Sequence, residues 1–462
     1  MAGQLAADWP SSVRTARSGQ HLELVLDPPL GQGGEGVVFR THHGGLAVKL
    51  CNGGSAMRLE DRLGRLRWLP LQGVPICRPL EPLAAPHVGY VMELLQDMVA
   101  FSAVCAPTSD DVAGWYAQGG GLRRRLRLLA RCAAILGTLH DRGIVYGDVS
   151  PGNVLVSAQP EHDEVWLVDA DNLQTESGPG SYRLITAYYA APEVLRGTSG
   201  NTVFSDVYSF AVLAYETLTT NHPLIGDYVD QGPAELEDDA QHGLLPWIEH
   251  STDDRNRTTY GYPAERVLTR QLLALFRRTF EDGIHDPRSR PGAGEWAAAL
   301  DGAADRCVQC SKCPHSYVVA KDRCPWCGAD RPAVVPVLVR EQFPWLGDRR
   351  PLTLEDKSLT LFVQADRPLL VTARTVYRGA ADPLAVVAEV DWDGGDSLVV
   401  RNRGTSVIRR VPPKGGLGRS LLPGGRADES LSAAWTWHFG DDSRPHRMLV
   451  PQPAEVTCSL SS

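Results

Sequence analysis

Asp148 is followed five positions later by Asn153 in the run Gly143-Ile144-Val145-Tyr146-Gly147-Asp148-Val149-Ser150-Pro151-Gly152-Asn153-Val154-Leu155-Val156. A second apolar run, Val165-Trp166-Leu167-Val168, ends in Asp169. Phosphoryl transfer needs this kind of set: one carboxylate to orient the attacking hydroxyl, and an amide with a second carboxylate to hold metal ions. Catalysis of that reaction is mostly positioning and charge neutralisation. An Asp at a strand end is also an ordinary turn residue, so the reading rests on all three groups and on a hairpin that brings Asn153 and Asp169 together.

A second chemical set lies further on. Of ten cysteines, five fall between Cys307 and Cys327. Two C-x-x-C knuckles, Cys310 to Cys313 and Cys324 to Cys327, each bend the chain so that two thiolates face one ion. Together they supply the four soft ligands of a closed tetrahedral Zn²⁺ site, and the segment reads as a zinc ribbon. Cys307 and His315 are the alternate ligands. So short a module has little apolar core, and bound metal is expected to supply most of its folding energy, of order 10 kcal/mol.

The elements that must position the first set can be read upstream. Leu22-Glu23-Leu24-Val25-Leu26 is a strand pattern, followed by Leu30-Gly31-Gln32-Gly33-Gly34-Glu35-Gly36-Val37-Val38-Phe39. Spaced glycines allow a tight turn whose N–H groups can approach phosphate oxygens. The β-formers Val37, Val38 and Phe39 put a strand after the loop, where a dinucleotide-binding unit would need a helix. Lys49, in Leu46-Ala47-Val48-Lys49-Leu50, is the only lysine before Lys312. Leu59, Leu63 and Leu66 form a helical stripe around Glu60 and Asp61. Leu122, Leu126, Leu129, Ala133, Leu136 and Leu139 keep helical spacing up to His140, and the interspersed arginines read as a solvated face.

Composition bounds the rest. With 462 residues and 43% hydrophobic content, the chain can bury several cores. It has no apolar run of the roughly 18 residues that a membrane span requires, and Met1 to Gln20 lacks the apolar centre of a signal peptide. A cytoplasmic protein is the expectation. The net charge of −9 argues against nucleic-acid binding by bulk electrostatics. Clustered cysteines favour a metal site in a reducing compartment over a disulfide framework.

Taken in order, these segments resemble the eukaryotic-type (Hanks-type) Ser/Thr protein kinases, in a bacterial branch where a Cys-Pro-Trp-Cys module trails the catalytic domain. Tyr146-Gly147-Asp148 through Asn153 stands where that family has His-Arg-Asp through Asn, and Asp169-Ala170-Asp171 where it has Asp-Phe-Gly. Ala191-Pro192-Glu193, Ser205-Asp206 and Asp286-Pro287-Arg288-Ser289-Arg290-Pro291 match its later motifs. The resemblance implies an α+β, bilobal protein kinase fold, with a leader (1–21), N-lobe (22–95) and C-lobe (96–303). A zinc ribbon (304–332) and an all-β sandwich (333–462) follow.

The resemblance also assigns roles. Asp148 would orient the substrate hydroxyl and accept its proton, while Asn153 and Asp169 would hold Mg²⁺ or Mn²⁺. Lys49, paired with Glu60, would contact the ATP phosphates. Gly31, Gly33, Gly36 and Val38 would cover the nucleotide, and Glu93 and Leu95 would lie at the adenine hinge. Glu193 is expected to pair with Arg290, and Asp206 to brace the catalytic loop. Partners would be protein substrates and signalling proteins, with no membrane. The departures are the absent His-Arg and Phe-Gly, and Ser150 in place of the usual Lys. They keep a pseudokinase scaffold and a small-molecule phosphotransferase open as alternatives.

From Ala333 onward, short β-type runs such as Leu359 to Val363, Leu369 to Val376, Ala385 to Val390, Leu398 to Arg401 and Trp435 to Phe439 alternate with Gly and Pro. This pattern suggests a small sandwich faintly similar to forkhead-associated domains. Arg401-Asn402-Arg403-Gly404-Thr405 echoes part of their Asn-Gly-Thr motif.

Overall fold

The computed structural model describes residues 9–176, 185–344, 352–413 and 417–453. The chain divides into two compact units. One comprises Met1–Gly120, Arg127–Ala264 and Gln271–Ala298, and the other Gly121–Leu126, Glu265–Arg270 and Ala299–Ser462.

The first unit opens with an antiparallel sheet. Its strands are β1 (Ser12–Arg14), β2 (His21–Val25), β3 (Gly31–Gly33), β4 (Gly36–Thr41), β5 (Leu46–Cys51), β6 (Pro79–Pro82) and β7 (Gly89–Glu93). Their order is β1-β2-β4-β5-β7-β6, with β3 hairpinned onto β4. The period of two separates the faces. Val37, Phe39, Val48, Leu50 and Val91 turn into one cluster with Leu22 and Leu24. Ala47, Tyr90 and Met92 turn the other way, onto Leu59 and Leu63 of helix α1 (Gly53–Leu66). The sheet begins earlier than expected. Residues Ser12–Arg14, assigned above to a leader, pair with β2 and bury Val13. Three residues are too few to show a period, so this strand was hidden. The start of the leader, residues 1–8, lies outside the described residues.

The helical part of this unit centres on α3 (Val203–Thr219), buried along most of its length. Thr202 caps it: its hydroxyl accepts from the Ser205 N–H, and the Ser205 hydroxyl accepts from the Thr202 N–H. Tyr215 of α3 meets Trp247 and Phe276 edge-on, and Trp247 is a core residue. Helix α2 (Gly121–His140) buries every apolar position of its predicted stripe. Two of its arginines depart from the expected solvated face, since Arg124 and Arg125 are also buried. A helix apolar on most sides is covered on most sides, and long Arg side chains at its edge are covered with it. Strands β8 (Met98–Ala100), β9 (Val154–Ser157) and β10 (Val165–Leu167) form a small sheet in the order β10-β9-β8.

The second unit contains both the cysteine module and the C-terminal strands. The hairpin β11 (Cys307–Gln309) and β12 (Ser316–Val318) starts the module. A six-stranded sheet then joins β13 (Val334–Phe343), β14 (Leu352–Gln364), β18 (Ile408–Val411), β19 (Arg419–Leu421), β21 (Thr436–His438) and β22 (His446–Pro451), in the order β14-β13-β22-β21-β18-β19. A four-stranded sheet joins β15 (Leu369–Thr372), β16 (Val386–Trp392), β17 (Ser397–Asn402) and β20 (Arg426–Ser430), in that order. Side chains of both sheets meet in one core: Val335, Val337 and Val339 with Val390, Leu398 and Val400.

Alternation on β13 and β14 turns Val334 and Phe362 to the opposite side, where they pack with Val308, Tyr317 and Val319 of the cysteine module. Gln364 adds hydrogen bonds to the Gln309 backbone. The module therefore shares an apolar core with its neighbour, which adds packing to whatever folding energy a bound metal supplies. Ala373–Val376, read above as strand, is a helical turn with Ala373, Thr375 and Val376 buried.

Candidate active site and cysteine cluster

A cleft of about 750 Å³ opens beside the first sheet, within the roughly 300–1,000 Å³ usual for small-molecule sites. Gly31, Gly33, Gly36, Val38, Lys49, Glu93, Leu95, Asp148, Asn153 and Asp169 all line it. Of the three loop glycines, only Gly36 is demanded by packing, because a Cβ there would lie 2.0 Å from the Leu50 carbonyl oxygen. Gly31 and Gly33 have open space around them and leave the loop backbone uncovered.

The loop carrying Asp148 is braced from beneath. Asp206 of α3 is 1% exposed; its carboxylate accepts from the N–H groups of Tyr146 (2.7 Å) and Gly147 (2.8 Å) and faces His140 Nε2 at 3.1 Å. Gly147 has φ +87°, a conformation that favours glycine. Tyr146 was not among the expected site residues. Its buried hydroxyl lies 2.8 Å from both the Asn153 and the Val168 carbonyl oxygens, tying the loop to the chain that follows β10. A buried Tyr whose hydroxyl has partners at both ends of a hairpin is a fixed strut. Glu193 and Arg290 form a buried two-pronged ion pair at 2.7 and 2.8 Å.

Asp148 accepts a hydrogen bond from Asn153 Nδ2 at 2.6 Å and another from the Thr186 hydroxyl. Burial pushes its carboxyl above the ordinary Asp range; these two hydrogen bonds oppose the shift, while Asp169 and Glu35 add to it. Asp169 sits at φ +53°, a strained setting for a non-glycine residue of the kind that clusters at functional sites. Burial raises its carboxyl too, against the attraction of Lys49.

Lys49 Nζ lies 2.9 Å from Asp169, 3.5 Å from Glu35 and 3.6 Å from Asp171. Burial works against its charge, but Asp169, Asp171 and Glu35 more than offset this and hold the ammonium above its ordinary value.

The structure does not bring Glu60 to Lys49. Glu60 and Asp61 are exposed, and among the described side chains of α1 the charged one turned inward is Arg62. Its guanidinium lies 3.0 Å from Glu35, 3.3 Å from Asp171 and 3.2 Å from the Asn172 side chain. The sequence reading sought an acid on this helix because the pairing partner is a lysine. The acids are instead in the glycine loop and in Asp169-Ala170-Asp171. Both motifs were visible: Asp169 was expected at the metal, whereas Glu35 and Asp171 carried no expected role.

In the second unit, Cys310, Cys313, Cys324 and Cys327 bring their sulfurs within 4.8 Å of one another. Cys310 and Cys327 are 3.6 Å apart, and Cys313 and Cys324 3.7 Å. A tetrahedron with Zn–S bonds near 2.3 Å has edges of about 3.8 Å, so the donor set fits that ion. The thiols titrate far apart. Burial would raise Cys310, but the Lys312 and Cys313 N–H groups and the neighbouring thiols draw it down to about 7. Burial and the thiols of Cys310, Cys327 and Cys324 push Cys313 up to about 12. Crowded sulfurs that cannot all ionise alone are what a cation relieves. Neither alternate ligand joins the group: Cys307 donates to the Ala303 carbonyl, and His315 stacks on Trp326 with ring centres 4.0 Å apart.

His438, Asp442 and His446 also place ligand atoms within 4.8 Å of one another. They are already engaged: His438 Nδ1 meets His446 Nε2 at 2.9 Å, and Arg409 grips both oxygens of Asp442. Asn402, part of the partial forkhead-associated motif, is buried and donates to the Ser406 and Leu421 carbonyls, closing its own loop.

Comparison with known proteins agrees with the first site. Residues 124–297 match the protein kinase domain family. Over 227 residues, 44% of this chain, it is 28% identical to the serine/threonine-protein kinase mos of Gallus gallus and covers 64% of that protein. It is 32% identical over 111 residues (23% of this chain, 17% of the relative) to serine/threonine-protein kinase PknB of Mycolicibacterium smegmatis. It is also 36% identical over 141 residues (28% of this chain, 16% of the relative) to a cGMP-dependent protein kinase of Plasmodium berghei. The chain thus spans less than two thirds of the length of these relatives. Among the described residues no helix is long and apolar enough to cross a membrane. The braced loop of Asp148 and Asn153, Asp169 at the end of β10, and the Glu193–Arg290 pair all fall within the matched segment, and there the chain is similar to the protein kinase domain.

Proposed function

We propose that this chain is a Ser/Thr protein kinase that transfers the γ-phosphate of ATP to hydroxyl groups of protein substrates. The observation that carries the reading is the Asp148 carboxylate, held by Asn153 and touched by the Thr186 hydroxyl at the cleft that also holds Lys49 and Asp169. A side-chain hydroxyl already rests where a substrate hydroxyl would have to be oriented. ATP with Mg²⁺ or Mn²⁺ would supply the phosphoryl group and shield its charge. Asn153 and Asp169 are the residues that would hold the metal, Lys49 the ammonium that would meet the phosphates, and Glu93 and Leu95 the hinge against which adenine would lie. Asp148 would orient the hydroxyl and take its proton, a task helped by a carboxyl raised toward neutrality.

The Glu193–Arg290 pair and the Asp206 brace favour a protein substrate over a small molecule, because they support the segment beside Asp148 on which a polypeptide would rest. Survival of the charge-handling residues favours an enzyme over a scaffold. We further propose that the four cysteines bind one structural Zn²⁺, that the C-terminal β-rich region recruits partners, and that the protein works in the cytoplasm. The deciding experiment is incubation with radiolabelled ATP and Mg²⁺ on an external protein substrate, comparing the chain with Asp148→Asn. Equal transfer by both refutes the assignment, and transfer by neither leaves a scaffold.

A further inference from the structure

We propose that Arg62, and not an acid, is the positioning residue that helix α1 contributes to this site, and that it acts on Lys49 through a shared carboxylate, Asp171. The proposal rests on the kinase reading for its meaning and on the charge network for its argument.

Lys49 faces Asp169, Glu35 and Asp171. Three carboxylates around one ammonium leave a buried excess of negative charge, which is costly in a low-dielectric setting. Arg62 supplies the second cation. Its guanidinium takes Glu35 Oε1 with both terminal nitrogens at 3.0 Å and reaches Asp171 Oδ2 at 3.3 Å. Asp171 is thereby divided: Oδ2 faces Arg62, while Oδ1 accepts from the Tyr90 hydroxyl at 2.8 Å and lies 3.6 Å from Lys49. All four side chains are nearly covered, with Arg62 7% exposed, Asp171 and Lys49 3%, and Tyr90 1%.

The polarity is inverted relative to a helix acid gripping the strand lysine. The helix carries the cation, and the acid comes from the chain just after β10, 109 residues away. Because one guanidinium holds Glu35 of the glycine loop, Asp171 and Asn172 together, the position of α1 is registered against the loop and against the start of the segment leading to Thr186. Withdrawal of the helix would release all three groups at once and leave Asp171 to pull on Lys49 uncompensated. The fixed fork of Arg suits such a three-way hold better than a point charge does.

The test compares full-length wild type with Glu60→Ala, Arg62→Ala, Arg62→Lys, Asp171→Asn and the Arg62→Ala/Asp171→Asn double variant, each checked for folding by circular dichroism. Two quantities are read: kcat and KM for ATP with an external substrate, and equilibrium binding of Mg²⁺·ADP by calorimetry. Arg62→Ala and Asp171→Asn are expected to lower kcat/KM at least about 30-fold, mainly through KM for ATP, and to weaken ADP. The double variant should be no worse than the worse single one, since the two residues act as a unit. Arg62→Lys should restore activity to within about fivefold, and Glu60→Ala should stay within about twofold. Loss in Glu60→Ala with Arg62→Ala near wild type overturns the proposal. If Arg62→Ala fails to fold, Asp171→Asn decides it, and normal ADP binding in that variant overturns the proposal. If wild type transfers no phosphate, the kinase reading fails separately, and the ADP arm still reads the network.

Discussion

The hydroxyl of Thr186 donates to the carboxylate of Asp148 across 38 residues of chain, so the segment that begins at Ile185 closes onto the loop that carries Asp148. Asp148→Asn, Lys49→Ala and Asp169→Ala should each lower phosphoryl transfer by about three orders of magnitude with the fold retained, because they remove charge positioning and not core packing. Their effects should not add. Thr186→Val should cost about tenfold, as loss of one hydrogen bond to a charged group. Single-turnover assays on an external substrate measure all four.

The pH dependence follows from the same carboxylate. Its folded pKa is raised by burial, so its stability contribution is fully present below the unfolded value and lost as pH rises through the folded one. At neutral pH Asp148→Asn should therefore melt at a higher temperature than wild type, and this difference should disappear at pH below the ordinary aspartate range. The acid limb of kcat/KM should lie above that range. Thermal melts and a pH–rate profile check both signs.

The Arg290 guanidinium has no exposed side-chain surface and spans Glu193 and the Phe204 carbonyl. Glu193→Ala leaves that charge buried without its partner, which should destabilise the first unit by about 3–5 kcal/mol in urea unfolding. Arg290→Lys should also be destabilising, because a lysine cannot hold both Glu193 carboxylate oxygens in a fixed fork.

One Zn²⁺ per chain is expected by elemental analysis. Cys324→Ser with Cys327→Ser should abolish it, and Cys307→Ser should leave it unchanged, since that thiol donates to Ala303. Removing the metal should lower the melting of the second unit without unfolding it completely, because Tyr317 and Val308 remain packed on Val334 and Phe362.

Phosphorylation should matter little. The resemblance puts an arginine at position 147, whose guanidinium would meet a phosphate on the segment before Thr186; here it is Gly147, and its φ of +87° disfavours any side chain. Phosphatase treatment and Thr175→Ala, Ser177→Ala or Ser181→Ala should change activity less than about tenfold, or roughly 1.4 kcal/mol of barrier. Ser177 and Ser181 lie outside the described residues, so this expectation rests on the sequence and on Gly147.

The order of short motifs was enough to expect a phosphoryl-transfer cleft around Asp148, Asn153, Asp169 and Lys49, because each motif is a local run whose residue types are dictated by a turn, a strand end or a ligand. The four thiols were legible for the same reason: both knuckles are local. The inward charge of α1 could not be read this way. The Leu59 and Leu63 stripe sets the face of a helix but not the sign of the charge at its edge. That sign is decided by which carboxylates arrive from elsewhere. Glu35 lies 27 residues from Arg62 and Asp171 lies 109, so only the tertiary fold shows that the helix must answer acids with an arginine. Tyr146 is the same kind of case. Its hydroxyl has a purpose only once β9 and β10 have brought the carbonyls of Asn153 and Val168 to one point.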